Sequence, residues 1–108
     1  MFKPVSKLSR AELQRLIRTL SATSERIVLT LHAERQMKRR KITKQIALEV
    51  LRHGSIRQPP EPNPAKGSIE CRMEWYVAGI DCTVVAALQA ELVGTDPELL
   101  VIVVTAWD

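Results

Sequence analysis

His32 and the arginines that follow it are the side chains of this sequence best suited to chemistry. In the stretch 30–54, TLHAERQMKRRKITKQIALEVLRHG, both histidines occur alongside Arg35, Lys38, Arg39, Arg40, Lys41, Lys44 and Arg52. These seven cations are set against only Glu34 and Glu49, a local balance of +5. An imidazole titrates near neutrality and can give or take a proton. A guanidinium is planar, permanently charged and shaped to grip phosphate or carboxylate through two parallel hydrogen bonds. On a helix, His32, Arg35, Gln36 and Arg39 stand at i, i+3, i+4 and i+7 and share one face. Such a face suits a polyanion, with acid–base chemistry available at His32.

The rest of the chain sharpens that contrast. Residues 1–57 hold 14 Lys and Arg against four acids, net +10, and residues 58–108 hold two against eight, net −6. A basic half of this size suggests nucleic acid or another acidic partner; the alternative is that the two halves attract and solubilise one another. There is no phosphate-cradling glycine loop, Gly-x-Ser-x-Gly, His-Glu-x-x-His or pair of carboxylates in an apolar setting. Two separated histidines do not make a metal site, and no cofactor is expected. If residues 78 and 79 form a turn, Cys82 pairs with Trp75 and Cys71 lies roughly 13 Å further along. A disulfide needs Cα atoms within about 7 Å, so two buried free thiols are expected, as in a reducing compartment.

The elements that must position these residues can be read in order. Ser9-Arg-Ala-Glu12 is a capping box, with Leu8 and Leu13 spaced as a hydrophobic staple. Leu13, Leu16, Ile17 and Leu20 then form the apolar stripe of a helix ending near 22–24. Ile27–Leu31 is either a brief extended piece or the entry to the next helix. Thr30 caps a helix over about 32–40, in which Ala33, Met37 and Arg40 lean on the core. Thr43 starts another, buried through Ile46, Ala47, Val50 and Leu51, with His53 suiting its dipole and Gly54 as a left-handed stop. Ser55–Gln58 suggests a short strand. The four prolines of 59–67 exclude helix and central strand and favour a stiff spacer.

From Ile69 the period becomes two. Ile69, Cys71, Met73, Trp75 and Val77 form the buried set, and Glu70, Arg72, Glu74 and Tyr76 the wet one. A second strand, 83–93, and an apolar third, 99–107, follow across turns at Gly79 and 94–98. The expectation is α+β: helices packed on one face of a three- to four-stranded antiparallel meander, in a single domain 1–108. Its helical part covers 7–54, the proline-rich loop 59–67 and the sheet part 69–107. No apolar run approaches the roughly 20 residues of a spanning helix. The N-terminal MFKPVSKLSRAELQRL lacks the apolar segment of a secretory signal, so no membrane association and a cytoplasmic location are expected.

HAERQMKRRKITKQIALEVLRHG, a proline loop and a meander ending VIVVTAW together resemble a family of small bacterial domains with the pattern H-A-x-x-R-M-x-x-R-G-I-[ST]. That family is grouped with the RelE and BrnT toxins in the barnase–EndoU–colicin–RelE superfamily of metal-independent ribonucleases. The resemblance covers about Leu29–Trp107. His32, Ala33, Met37, Arg40, Ile42, Thr43, Gly54 and Thr105 match, while Gln36 replaces a usual arginine and Lys41 a glycine. It implies a RelE/BrnT-like fold and RNA cleavage without metal, in which the RNA's own 2′-hydroxyl attacks the adjacent phosphorus. His32 would be the general acid or base, and Arg35, Arg39 or Arg40 would clamp the phosphate. Lys38, Arg39, Lys41, Lys44, Arg52 and Trp107 would contact RNA, with Thr105 as a supporting group. It also implies an acidic antitoxin protein as partner.

Other readings stay open. His32 also suits a helix cap or packing residue, and Arg40 a structural arginine bonded to carbonyls or to an acidic strand residue. His53 most simply serves its helix end. Trp75 reads as core, Tyr76 as exposed, and Trp107 as an edge-packed ring or a stacking platform. Thr43–His53 can be read as the recognition helix of a helix-turn-helix, although Glu49 would then face phosphates. A catalytically silent protein-interaction module is a third possibility.

Overall fold

The computed structural model describes residues 3–108, so the first two residues of the expected domain lie outside the described residues. Pro4 bridges Val93, and the chain turns through a 3₁₀ segment, Val5–Lys7, into α1, Arg10–Ser21. The capping box forms: Ser9 Oγ accepts from the Glu12 amide at 3.2 Å, and Glu12 Oε1 accepts from the Ser9 amide at 2.8 Å. That amide and the Lys3 ammonium hold the Glu12 carboxyl below its ordinary pKa.

Thr30 and Thr43 cap α2, Leu31–Arg39, and α3, Lys44–His53, as expected. Leu13, Ile17 and Leu20 of α1, Ala33 and Met37 of α2, and Ala47, Val50 and Leu51 of α3 are buried. Leu48, outside the stripe expected to bury this helix, is buried too, and α3 packs against α1 as well as against the sheet.

The sheet departs from a simple meander. It has six strands: β1 Ile27–Leu29, β2 Ser55–Ile56, β3 Glu61–Asn63, β4 Ser68–Val77, β5 Ile80–Gln89 and β6 Val101–Trp107. The order is β1-β6-β5-β4-β2, with β3 pairing the opposite end of β4 from β2. β1 runs parallel to β6, so the sheet is mixed rather than antiparallel. Physically, β1 covers amides and carbonyls that would otherwise line the open edge of an apolar strand. β3 turns part of the expected spacer into strand, and Pro62 is tolerated there because β3 is at an edge.

The β4–β5 turn falls at Ala78 and Gly79, both at positive φ, and Trp75 pairs with Cys82 as anticipated. Cys71 and Cys82 are buried free thiols. Burial pushes Cys71 up to about 12; burial and the Asp108 carboxylate push Cys82 up to about 11. Trp75, however, is not core but 41% exposed. β6 pairs with β5 only from Thr83 onward, so the hairpin tip outruns its neighbours and the ring meets His53 instead, centroids 6.0 Å apart.

Gly54 is likewise not a left-handed stop. Its φ and ψ are −71° and 173°, which lead the chain straight into β2. A Cβ there would collide with the Val50 carbonyl and press on that of Glu74, so glycine is required for space rather than for φ. Among the described residues no helix is long and apolar enough to cross a membrane.

Candidate functional site

Three helices cover one face of the sheet; among the described residues no α-helix covers the other, although Ser68, Val85 and Ala87 on it are buried. Strand alternation assigns Cys71, Met73, Val84, Ala86, Val101 and Val103 to the covered face, and all are buried. Val85, Ala87, Ile102 and Val104 belong to the helix-free face and form an apolar floor between two adjoining cavities.

One cavity, about 200 Å³, is lined by Pro59, Glu61, Arg72, Thr105 and Trp107 among others. The second, about 550 Å³, is lined by Thr30, His32, Lys66, Ser68 and Gln89 among others. Glu70 and Val104 belong to both, so the two make one groove.

A bulge in β6 aims the site. Val85 pairs with Thr105 but Ala86 with Val103, leaving Val104 as an extra residue. The shift reverses the alternation beyond it, so Ala106 turns into the core while Thr105 and Trp107 line the groove. The Arg72 guanidinium lies 5.8 Å from the centroid of the Trp107 ring, within range of a cation–π contact. Arg72 Nη1 also donates to Gln58 Oε1 at 3.0 Å, and its Nη2 lies 3.8 Å from Glu61 Oε1.

His32 is fixed through its cap. The Thr30 amide donates to the Val103 carbonyl at 3.2 Å, while Thr30 Oγ1 accepts from the Ala33 amide at 3.1 Å and donates to the Val103 carbonyl at 2.9 Å. The start of α2 is thereby tied to β6, and exposed His32 sits on the border of the groove. Arg35, Lys38 and Arg39 are exposed further along α2, and Lys41 and Lys44 continue this cationic surface round the corner into α3. Lys41 takes φ 59°, in the left-handed region.

Of the residues singled out from the sequence, the groove therefore gathers His32, Thr105 and Trp107. Arg35, Lys38, Arg39, Lys41 and Lys44 form an exposed surface on the helices. No family model, curated protein or solved structure matches this chain. Arg40 pairs with the chain's own Asp108, Nη1 to Oδ1 at 3.2 Å, an exposed contact that solvent weakens. Arg52 is half-buried, its Nε donating to the Ser21 carbonyl at 2.6 Å. Among the described residues, no three His, Cys, Asp or Glu side chains are grouped to hold a metal ion.

Lys66, Ser68, Glu70, Arg72 and Gln89 also belong to the groove but were not singled out. The period of two placed Glu70 and Arg72 on the wet face, which was the available signal. Lys66 lies in a segment whose prolines suggested only a spacer, and Ser68 just beyond it.

Proposed function

We propose that this chain is a RelE/BrnT-type domain that binds RNA and acts as a metal-independent endoribonuclease. One observation carries the reading: a cationic surface on α2 and the start of α3, whose Arg35, Lys38, Arg39, Lys41 and Lys44 make no ion pair among the described residues, adjoins a groove with His32 on its border. Lys38, Arg39, Lys41 and Lys44 would hold the RNA backbone, a salt-sensitive interaction. Trp107, beside the Arg72 guanidinium, would stack a base at the far end.

In this reading His32 takes the 2′-hydroxyl proton or protonates the leaving 5′-oxygen, and Arg35, one turn along the same helix face, meets charge developing on the phosphorane. Arg40 would serve as a phosphate clamp only by exchanging Asp108 for RNA; otherwise it tethers the end of β6 to α2. An acidic antitoxin would cover the same cations. The helix-turn-helix alternative is weaker, because burial of Leu48 and engagement of Arg52 leave α3 little outward surface.

The test is RNA cleavage in EDTA. The proposal expects 2′,3′-cyclic phosphate ends, and His32→Ala should slow cleavage by about 10²-fold or more while RNA stays bound. Undiminished cleavage by His32→Ala would contradict the assigned role. Tight RNA binding without cleavage would leave a binding module, and selection of a duplex DNA sequence would favour the helix-turn-helix reading.

A further inference from the structure

The larger cavity of the groove contains groups to which the RNase reading gives no role. We infer that its α2 end is an anion subsite, in which the first turn of α2, His32, Lys66 and Ser68 hold a single phosphate group.

Ser68 is only 9% exposed, and its Oγ has no hydrogen-bond partner. A buried hydroxyl without a partner is destabilising unless something else supplies one. Ser68 pairs with Gln89 across β4 and β5, and both line this cavity with Glu70 and Ala87, on the helix-free face. Lys66 sits on the turn before β4, its amide donating to the Asn63 carbonyl at 3.1 Å, and lines the cavity.

Thr30 and His32 bring the start of α2 to the same cavity. Thr30 Oγ1 caps the Ala33 amide, whereas the Leu31 and His32 amides precede the first intrahelical bond, at the positive end of the helix dipole. A helix start, an ammonium, an imidazole and an unpartnered hydroxyl converging on one space match the chemistry of a phosphate. About 550 Å³ leaves room for the sugar beside it.

Glu70 opposes the anion. Its Oε2 accepts from Asn63 Nδ2 at 3.0 Å, but its charge remains in the cavity and keeps affinity for a free anion low. That the phosphate belongs to RNA rests on the function proposed above; the subsite itself rests on the cavity.

Titration of the ¹⁵N-labelled chain with inorganic phosphate, at ionic strength held constant with chloride, tests this. Saturable shifts of the Leu31, His32 and Ser68 amides are expected. Lys66→Ala should weaken binding by about tenfold, the size of a charged hydrogen bond, and Ser68→Ala, which removes an orphaned group and should fold, by a smaller factor. Glu70→Gln should tighten binding, and Arg15→Ala, exposed on α1 at the helix-covered side of the sheet, should leave it unchanged. No saturable shift at these amides, or equal weakening by Arg15→Ala and Lys66→Ala, would overturn the subsite. A short RNA should compete with phosphate for the same amides. Phosphate bound here without RNA competition would keep the subsite and reject the RNA source. RNA cleavage with no phosphate-linked shift would overturn the subsite while sparing the RNase reading.

Discussion

At Lys41 the backbone takes φ 59°, a conformation that costs an L-residue with a Cβ roughly 1–2 kcal/mol relative to the right-handed region. Glycine, with no Cβ, would take this conformation at the corner between α2 and α3 without that cost. Lys41→Gly should therefore stabilise the fold by about 1 kcal/mol in denaturant or thermal unfolding. If Lys41 also contacts RNA, the same change should weaken binding modestly and lower the slope of log affinity against log salt by about one. An unchanged slope would place Lys41 outside the interface. Arg40, beside it, illustrates two roles that sequence left open. Its contact with Asp108 engages it at the end of β6, yet both partners remain exposed.

Among elements, α1 and α3 are joined by arginines exchanged between their C-terminal ends. Arg18 Nε and Nη2 donate to the Gly54 and His53 carbonyls at 3.0 and 3.1 Å, and Arg52 Nε donates to the Ser21 carbonyl at 2.6 Å. Each supplies charge and donors to carbonyls left without partners at a helix end. Arg52→Ala should cost about 1–3 kcal/mol of unfolding free energy while leaving RNA affinity nearly unchanged. A large loss of affinity with intact stability would return Arg52 to the binding surface.

The helices were legible because their signals are local: Ser9, Thr30 and Thr43 each occupy the cap position their side chains suggested. The turn at 78–79 was legible for the same reason. The parallel pairing of β1 with β6 was not, since Ile27–Leu29 meets a partner some seventy residues away and no local pattern encodes that. Nor was the bulge at Val104, which decides that Thr105 and Trp107 face the groove. Trp75 misled because alternation gives the side of a strand a residue occupies, not whether anything covers it.

For the molecule as a whole, the basic and acidic halves are divided between helices and sheet, but not cleanly. The groove takes His32 from the helical half and Arg72 and Lys66 from the acidic one, so the only two cations beyond residue 58 both lie in it. Glu61 and Glu70 are there as well, which favours a ligand that alternates charge with apolar rings over a uniformly anionic rod. Single-stranded RNA is such a ligand, its phosphates meeting cations and its bases an apolar floor or an aromatic ring. The hairpin tip offers a rival surface, since Trp75 and the 66% exposed Tyr76 stand there beside Asp81, outside the groove. Ultraviolet crosslinking of the chain to a short single-stranded RNA, followed by mass spectrometric mapping of the modified residues, separates the two. Crosslinks at Trp107 together with His32 or Lys66 are the predicted result. Crosslinks confined to Trp75 and Tyr76, with Trp107 unmodified, would contradict the claim that RNA lies in the groove on the helix-free face.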